Sequence, residues 1–434
     1  MNTRAYPSEK RIRQYTARML VAAILAAGSL AAHAADPSEK WAASWYTAQA
    51  DYLEGMPPTY PAPAVKTLSN QTIRQIVYVS AAGSKVRLKL SNQFGDAPVT
   101  FDSVTIAANT GSAASIDAAS VRAVTFNGAS SVTLAPGTDI ASDPVNFVPK
   151  ANSSAAISIY VKHAAPIRTV HNLAMQRNFV AFGDVTKVPA PAWSEINDNP
   201  DATDPGGYTA WITELDVLRK DRPKVVVGFG DSITDGFGSS LDSNYRWPNI
   251  LSRIVAADRA SYGPISVVDA GISGNRWKTG WQGPKGEARF GRDVLNVSGV
   301  THVVILLGIN DIGYDQWVPE QIKEAADITA ALQTAVDKAK SRGLRVLVGT
   351  LTPFKATTLY YSDTREIKRL EVNDFIRSRL KGVDAIVDFD QALRDPTRPL
   401  QMLAVYDSGD HLHPNDAGYT VMAKTVADAL KDMR

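Results

Sequence analysis

The sequence predicts a chain of two parts: an all-β region that ends near residue 222, followed by an α/β domain that reaches residue 434. Before residue 222, short runs rich in Val, Ile, Thr, Tyr and Phe recur between turns, which is typical of an antiparallel β-sandwich or jelly roll. After it, continuous apolar runs alternate with amphipathic helical patterns, which indicates a parallel sheet covered on both faces. The chain of 434 residues, about 400 of them after the leader described next, is also too long for one domain.

Residues 1–34 are predicted to be a secretory signal peptide rather than part of the fold. Five basic residues and one acidic residue precede or flank the apolar stretch Met19–Ala32, and Ala32-His33-Ala34 has the small-x-small form of a cleavage site. The apolar stretch is too short to span a bilayer as a stable helix. We therefore expect export, to the periplasm or out of the cell. The chain contains no cysteine, which excludes a lipoprotein anchor, disulfides and cysteine-bound metals.

The net charge argues against nucleic acid as a partner. The whole chain has 46 basic and 44 acidic residues, and removing the five and one in the leader leaves 41 against 43. The remaining chain is close to neutral, so no basic surface for nucleic acid or an anionic membrane is predicted. No second stretch is apolar and long enough to be a membrane span.

The strand-like segments of the N-terminal part, residues 35–222, are separated by short turns of small and polar residues. In Lys85–Leu90 polar and apolar residues alternate, which indicates an antiparallel sheet with one face in water. Val188–Gly207 is rich in Pro, Asp and Asn and is predicted to be a linker or excursion. The predicted strands are Thr72–Ser80, Lys85–Leu90, Val99–Ala107, Val121–Phe126, Ser131–Leu134, Ala156–Val161 and Trp211–Leu218.

The C-terminal part, residues 223–434, alternates strands with helices. The predicted strands are Lys224–Phe229, Ile265–Asp269, His302–Leu307, Arg345–Leu351 and Ala385–Phe389. The predicted helices are Trp247–Asp258, Pro319–Arg342, Asp363–Leu380 and Asn415–Met433. Open α/β sheets bind their ligands outside the carboxyl ends of the strands, so the loops that follow the strands are the candidate site.

A serine follows the first of these strands in Gly230-Asp231-Ser232. A serine hydroxyl is a weak nucleophile and needs a base that a third group orients. The motif alone is equally compatible with an ordinary turn after a strand. The other strand ends must therefore decide between the two interpretations.

The base should be a histidine, and five histidines lie outside the leader. His163 and His171 fall in the β region, and His302 begins a predicted buried strand. In Asp410-His411-Leu412-His413 the three-residue spacing lets Asp410 reach the imidazole of His413 and hold its tautomer. His411 is the weaker candidate because it is nearly adjacent to Asp410.

Two further strand ends offer donors for a developing oxyanion. Gly271-Ile272-Ser273-Gly274-Asn275-Arg276 follows the second strand, and its glycines expose backbone N–H groups. Gly308-Ile309-Asn310-Asp311 follows the third strand and offers a side-chain amide. Each motif is weak alone, but their occurrence in order after successive strands favours a catalytic interpretation.

These blocks resemble the SGNH, or GDSL, hydrolases over residues 223–434. The matching blocks are Gly230-Asp231-Ser232, Gly274, Gly308-x-Asn310-Asp311 and Asp410-x-x-His413. The resemblance implies a flavodoxin-like three-layer α/β/α sandwich with five parallel strands. It also implies a serine esterase without a cofactor, in which Ser232 is the nucleophile, His413 the base and Asp410 its orienter. The implied oxyanion hole comprises the backbone N–H groups of Ser232 and Gly274 and the amide of Asn310.

More narrowly, the second and third blocks and the β-rich N-terminal region resemble exported arylesterases, acylhydrolases and carbohydrate acetylesterases. This implies a small-molecule or polysaccharide ester as substrate, and we expect short acyl groups. The G-x-S-x-G elbow of α/β-hydrolases is absent from the chain.

Aromatic side chains crowd the same loops and could form a wall that stacks on a sugar or an acyl group. The alternative is that they pack the loops in place. The candidates are Trp277, Trp281, Tyr314 and Trp317. Asp231, Asp235 and Asp311 lie nearby, but without clustered histidines no metal is expected.

Two alternatives to an esterase remain open at this stage. The β region suggests a carbohydrate-binding protein whose α/β part is a retired hydrolase, although the intact set of motifs argues against it. The nearby aspartates suggest, more weakly, a metal-dependent phosphodiesterase.

Overall fold

The computed structural model describes residues 39–54, 65–111, 113–196, 207–314, 323–358 and 360–433. The predicted signal peptide, part of the predicted linker and Trp317 lie outside these ranges. Residues Lys40–Arg434 form one compact unit. Among the described residues, no helix has the length and apolarity that crossing a bilayer requires.

The region before residue 222 is built from strands, as predicted. In chain order they are β1 Lys40–Tyr46, β2 Ala50–Asp51, β3 Thr67–Leu68, β4 Gln71–Val79, β5 Val86–Ser91, β6 Val99–Phe101, β7 Ser103–Ala108, β8 Arg122–Val124, β9 Val132–Leu134, β10 Asp139–Ala141, β11 Ser153–Val161, β12 Ala165–Pro166, β13 Thr169–His171, β14 Phe179–Phe182, β15 Ser194–Glu195, β16 Thr209–Ala210 and β17 Ile212–Arg219. Short 3₁₀ turns occupy Tyr52–Glu54 and Ala118–Ser120.

These strands form two main antiparallel sheets. One has the order β1-β17-β5-β10, and the other has the order β15-β14-β4-β11-β7-β8. Apolar side chains from both sheets, such as Ile73 on β4, Leu88 on β5 and Ile157 on β11, belong to one buried cluster. The alternation read from the sequence therefore has a physical cause, because one face of each sheet packs against the other sheet.

The predicted single strand Val99–Ala107 is two strands. It breaks at Asp102, whose Oδ2 accepts the backbone N–H of Lys162 at 2.8 Å. On one side β6 pairs with β9, and on the other β7 pairs with β11 and β8. Asp102 therefore separates two strands with different partners within a run that looks continuous in sequence.

The C-terminal part alternates strands and helices as predicted. The strands are β18 Lys224–Gly230, β19 Ile265–Gly271, β20 Val300–Leu306, β21 Arg345–Gly349 and β22 Ala385–Val387. The helices are α1 Ser232–Asp235, α2 Trp247–Ala257, α3 Arg259–Tyr262, α4 Gly286–Phe290, α5 Ile309–Gly313, α6 Ala325–Ser341, α7 Asp363–Ser378, α8 Phe389–Leu393 and α9 Asp416–Asp432, with a π-helical turn at Gly291–Leu295.

The five strands form one parallel sheet in the order β19-β18-β20-β21-β22. Numbered along the chain this is 2-1-3-4-5, an order in which ligands bind where the strand order reverses beside the first strand. Gly230 at the end of β18 lies opposite Gly271 on β19 and Leu306 on β20. The loops after these three strands therefore begin side by side, at the same edge of the sheet.

The three longest helices, α6, α7 and α9, begin at side-chain caps. Helix α6 starts with a capping box between Glu324 and Asp327, six residues after the predicted start at Pro319. In α9 the side chain of Asn415 accepts the backbone N–H groups of Ala417 and Gly418 at 2.9 and 3.1 Å. Helix α2 packs against α9, and α6 packs against α7.

The two parts of the chain share a core. Ala42, Ala43 and Tyr46 of β1 belong to the same apolar cluster as the parallel sheet. The carbonyl of Ala43 accepts a hydrogen bond of 2.5 Å from the hydroxyl of Ser266 on β19. The domain boundary predicted near residue 222 falls between β17 and β18 and stays a prediction, but β1 lies against both parts.

Candidate active site

Ser232 lies at the carboxyl edge of the sheet, two residues after the end of β18. Asp231 caps helix α1, because its Oδ1 accepts the backbone N–H of Ile233 at 3.0 Å. Ser232 is the first residue of that helix, and its side chain is almost completely buried. A side chain at Gly230 would collide with Thr234 and with the carbonyl of Leu306, so only glycine fits where the strand turns into the helix.

Two hydrogen bonds join Ser232, His413 and Asp410. The Oγ of Ser232 lies 2.8 Å from Nε2 of His413, and Nδ1 of His413 lies 2.5 Å from Oδ2 of Asp410. A carboxylate beside Nδ1 places the ring proton there, which leaves Nε2 free to accept from the serine. The geometry is that of a nucleophile, a base and an orienting group.

The second oxygen of Asp410 is fixed by its own loop. Its Oδ1 accepts the backbone N–H groups of Leu412 and His413 at 2.9 and 2.8 Å. Burial alone would raise the pKa of Asp410, but the His413 side chain and these N–H groups hold that pKa well below its usual range. Asp410 therefore stays ionised at neutral pH.

The imidazole of His413 is held on its other side by Phe237, whose ring centroid lies 4.4 Å away. The carbonyl of Phe237 accepts a 2.6 Å hydrogen bond from the buried Tyr419 hydroxyl. Neither residue was singled out from the sequence, because each lies in a different segment and carries no motif. Together they restrict the ring orientation that the hydrogen bond to Ser232 requires.

The other histidines do not contact Ser232. His411, the weaker of the two candidates in its loop, bonds Asp407 instead of Ser232. Its Nδ1 lies 2.6 Å from Asp407, and about half of its side chain is exposed. His163 is exposed in the β region, and burial within β20 lowers the pKa of His302 to about 4. His171 is buried and bonded to Asp235 on helix α1.

The predicted oxyanion donors lie on the three adjacent strand ends. The backbone N–H groups of Ser232 and Gly274 have no acceptor among the residues that the structure describes. Gly274 has φ of 73°, and a side chain there would overlap the amide of Gln282, so glycine is required on both counts. Unpartnered N–H groups at the head of a helix and in a glycine turn can receive a developing negative charge.

The amide of Asn310 is anchored at both ends. Its Nδ2 donates to the carbonyl of Asn275 at 3.1 Å, and its Oδ1 accepts from the hydroxyl of Tyr360 at 2.8 Å. One hydrogen of Nδ2 is used by Asn275, next to Gly274, which leaves the other for a ligand. Sequence reasoning missed Tyr360, because it lies in an irregular loop before α7.

Arg289 ties the strand ends together below these donors. Its Nη2 donates to the carbonyl of Gly230 at 2.7 Å, Nη1 to that of Ala270 at 2.8 Å and Nε to Oδ1 of Asn275 at 2.9 Å. The guanidinium is fully buried, and Nη1 also meets Asp293 at 3.0 Å. One planar side chain thus links the loops that follow β18 and β19.

The three aspartates considered for a metal bind backbone N–H groups. Asp311 accepts the N–H of Trp277 at 2.9 Å, and burial raises the pKa of Asp311 to about 6. Burial raises the pKa of Asp231 to about 7, and its Oδ2 has no partner. Asp235 bonds His171 and Ser273. In the part of the chain that the structure describes, no group of three or more metal-ligating side chains occurs.

The aromatic residues divide into two groups. Trp277 is fully buried, with its indole N–H on the carbonyl of Leu307 at 2.9 Å, so it packs the core and, contrary to expectation, lines no open surface. Trp281 is partly exposed and lies edge-on to Tyr314, with ring centroids 5.0 Å apart. The guanidinium of Arg276 stacks on both rings, at 4.7 and 5.3 Å. Trp281 and Tyr314 therefore remain the aromatic candidates among the described residues.

A family model described as GDSL-like lipase/acylhydrolase matches residues 229–421, a range that contains all four motifs. A search of curated proteins returned no match. Among solved structures, the chain is similar to a lipase/acylhydrolase from Enterococcus faecalis, with 21% identity over 48% of this chain and 96% of that one and a TM-score of 0.39. It is also similar to the M. smegmatis aryl esterase, with 17% identity over 49% of this chain and 100% of that one and a TM-score of 0.39. An acetylxylan esterase from Geobacillus stearothermophilus matches with 21% identity over 48% and 94% and a TM-score of 0.37.

Proposed function

Residues 229–421 form a GDSL-like lipase/acylhydrolase domain, which makes the chain a carboxylic ester hydrolase, and we propose that it acts through Ser232, His413 and Asp410. The observation that carries the proposal is the pair of hydrogen bonds from Ser232 to His413 and from His413 to Asp410, at 2.8 and 2.5 Å. A serine held by a base that a carboxylate orients is the arrangement that acyl transfer requires.

In the proposed reaction the Oγ of Ser232 attacks the ester carbonyl while its proton passes to Nε2 of His413. The carbonyl oxygen becomes an oxyanion, which accepts from the backbone N–H groups of Ser232 and Gly274 and from Nδ2 of Asn310. Collapse of this intermediate breaks the ester C–O bond, and His413 gives its proton to the departing alcohol. Water then repeats the sequence on the acyl-enzyme, and the acid leaves as Ser232 recovers its proton. Asp410 stabilises the imidazolium in both halves.

Replacing the nucleophile tests this mechanism directly. Ser232→Ala should lower kcat for p-nitrophenyl acetate by roughly 10⁶-fold if the three residues act as a unit. A fluorophosphonate probe should label the wild-type protein and fail to label the variant. The matched control is Ser243→Ala, an exposed serine whose hydroxyl bonds only the carbonyl of Leu241 at 3.2 Å, and it should leave both readouts unchanged.

Either of two results would overturn the mechanism. Unchanged turnover by Ser232→Ala would exclude Ser232 as the nucleophile. A folded wild-type protein that neither hydrolyses esters nor reacts with the probe would favour the alternative of a carbohydrate-binding protein with a retired hydrolase domain.

The oxyanion donors have their own test. Asn310→Ala should lower kcat by about 10²–10³-fold, the usual effect of removing one such donor, with little change in KM. An effect confined to KM would mean that the amide binds the ground state of the substrate instead.

We propose short acyl groups as the substrate class, with an acetylated carbohydrate or an aryl ester as the alcohol part. The support is the partly exposed Trp281 beside Tyr314, since an aromatic face can stack on a sugar or an aryl ring. Acetate release from acetylated xylan, compared with a series of p-nitrophenyl esters of increasing acyl length, tests this. A preference for long acyl chains would contradict it.

We also propose that the protein is exported, on the basis of the basic and apolar leader in residues 1–34. Sequencing the N-terminus of the protein recovered from the cells that make it should give a chain that starts at Ala35. A chain that retains the leader in the cytoplasm would contradict the proposal.

A further inference from the structure

The β region reaches the candidate active site through His171, the last residue of β13. Its Nδ1 lies 3.0 Å from the carbonyl of Ala48. Its Nε2 lies 2.9 Å from Oδ1 of Asp235 and 3.0 Å from the carbonyl of Leu173. All three partners are acceptors, so each ring nitrogen must carry a proton to bond with them. The surroundings of this buried ring therefore fit a charged imidazolium, which has a proton on each nitrogen. In a neutral imidazole, one ring nitrogen would have a lone pair facing an acceptor.

Asp235 links His171 to the loop that contains Gly274. It is the last residue of α1, the short helix that begins at Ser232. While its Oδ1 bonds His171, its Oδ2 accepts the backbone N–H of Ser273 at 3.0 Å. Ser273 precedes Gly274, so one carboxylate joins the β region, the helix of the nucleophile and the turn that presents an oxyanion donor.

Close packing around Asp235 restricts the conformation of the Ser273–Gly274 turn. A side chain at Gly271 would collide with the backbone of Asp235, so the end of α1 lies directly against the end of β19. The N–H of Ile272 bonds the carbonyl of Gly230 at 3.1 Å. The turn is thus fixed at its start by the strand ends and one residue later by the Asp235 carboxylate.

Two further ionisable groups, Arg246 and Asp269, lie beside the contact between His171 and Asp235. Arg246 donates from Nε to the carbonyl of Asp235 at 2.5 Å and from Nη2 to the carbonyls of Leu173 and Ala174. Asp269 accepts the N–H of Gly271 at 2.8 Å, and burial raises its pKa to about 7. Burial alone would lower the pKa of His171, but the Asp235 carboxylate raises it above its ordinary value. Four ionisable groups therefore lie together here, namely His171, Arg246, Asp235 and Asp269, and Asp235 is the carboxyl group that bonds His171.

We propose that His171, as an imidazolium supplied by the β region, is a positioning residue for ester hydrolysis: by holding Asp235 it fixes the Ser273–Gly274 turn and so places the Gly274 N–H against the oxyanion. This inference rests on the proposed function and extends it, because it makes the β region part of the machinery of the site. His171 touches no reacting atom and acts only through Asp235.

Kinetics of a conservative variant give the first test. His171→Gln retains an N–H donor for Asp235 but removes the charge and the donor to Ala48. It should lower kcat for p-nitrophenyl acetate by roughly 10–100-fold, the scale of a misplaced catalytic group, with KM within about twofold. The control is Ser252→Ala, which removes a 2.6 Å hydrogen bond to Asn152 between the same two parts, away from the turn. It should leave kcat within about twofold.

The kinetic result can contradict the inference in two ways. If His171→Gln is folded and keeps the wild-type kcat, His171 positions nothing that the reaction needs. If Ser252→Ala loses as much activity as His171→Gln, the effect reflects general loosening between the two parts and no specific coupling exists.

Hydrogen exchange separates this inference from the proposed function. In His171→Gln the backbone amides of Ser273 and Gly274 should exchange faster than in the wild type, whereas Ser252→Ala should leave their rates unchanged. The measurement needs no substrate. A wild-type protein without esterase activity would refute the proposed function, and unchanged exchange in His171→Gln would refute the coupling.

If His171→Gln does not fold, the wild-type ring itself can be examined. Nitrogen NMR of ¹⁵N-histidine-labelled protein should find both nitrogens of His171 protonated at neutral pH. As the pH rises and this proton is lost, kcat and the protection of the Ser273 amide should fall together. A His171 ring that is neutral at pH 6, or that loses its proton with kcat unchanged, would overturn the inference.

Discussion

The hydroxyl of Tyr360 donates a hydrogen bond of 2.8 Å to Oδ1 of Asn310 and thereby fixes which way the amide faces. On the other side Nδ2 of Asn310 meets the carbonyl of Asn275 at 3.1 Å. Because a carbonyl can only accept, the amide cannot flip without placing two acceptors against each other. The amide that we propose as an oxyanion donor is therefore oriented before any substrate binds.

Tyr360→Phe should lower kcat by about 3–10-fold and leave KM nearly unchanged. The reason is that one hydrogen bond contributes about 1 kcal/mol net, and that loss falls on the orientation of a transition-state donor. The neighbouring Tyr361→Phe is the matched control, since its hydroxyl bonds only the exposed Asp363 at 2.8 Å. In an Asn310→Ala background Tyr360→Phe should have no further effect on kcat, and an additive loss would separate the two residues.

Asp410→Asn should lower kcat by roughly 10³–10⁴-fold while the fold is retained. An amide N–H facing Nδ1 of His413 forces the proton onto Nε2, and the ring can then no longer accept the proton of Ser232. The control is His411→Ala, which removes only the half-exposed partner of Asp407. Circular dichroism would verify folding, and a loss in His411→Ala comparable to that in Asp410→Asn would contradict the assignment of the base.

Asp231→Asn should stabilise the protein more at pH 8 than at pH 5. The folded-state pKa of Asp231 is raised to about 7 by burial, whereas an unfolded aspartate titrates near pH 4. Wild-type stability therefore falls as the pH rises between these values, because the buried carboxyl resists ionisation. The asparagine does not ionise and still caps helix α1.

Urea unfolding of both proteins at the two pH values measures this difference, which should amount to about 3 kcal/mol, because only the two pH units between pH 5 and the folded-state pKa contribute, at about 1.4 kcal/mol each. Any constant cost of the new amide cancels when the two pH values are compared. The matched control is Asp117→Asn, at an exposed cap whose carboxylate accepts the N–H of Ala119 at 3.0 Å. An equal change in both variants would contradict the role of burial.

Arg289→Lys should lower the free energy of unfolding by about 2–4 kcal/mol, since a lysine cannot replace the planar fork that serves two carbonyls and Asn275. It should also reduce kcat, because the loops after β18 and β19 lose their common anchor. Arg379→Lys is the control: its ion pair with Asp374 is exposed, and its effect should lie within about 0.5 kcal/mol. Equal destabilisation by the two variants would mean that the buried fork contributes nothing specific.

Much of the fold was accessible from sequence because its signals are local. The five parallel strands are continuous apolar runs, and each was predicted to within a few residues. Strand β1 was missed because its sequence mixes polar and apolar residues without a clear pattern. Its contacts are with partners far along the chain, on β17 and β19. The break at Asp102 was missed for a similar reason, since β6 and β7 are distinguished only by their pairing with different strands farther along the chain.

The triad that we propose could be read from the sequence because Asp410 and His413 are three residues apart and the serine follows a strong strand. The residues that hold the site in place could not, because His171, Arg289 and Tyr360 come from segments with no motif and act by long-range contact. The Trp277 prediction was wrong for a related reason: composition identified an aromatic residue near the site, and only packing placed its ring in the core.

The position of β1 has a consequence for how the chain reaches its native state. Lys40–Tyr46 is synthesised early, but its pairing partner β17 lies about 170 residues later in the sequence, and β19 later still. Contacts between such distant residues close large loops and make folding slow. The N-terminal strand therefore stays unpaired until about half of the chain has been synthesised. For the export that we propose, this delay is an advantage, because a chain that has not closed its native core can still be translocated.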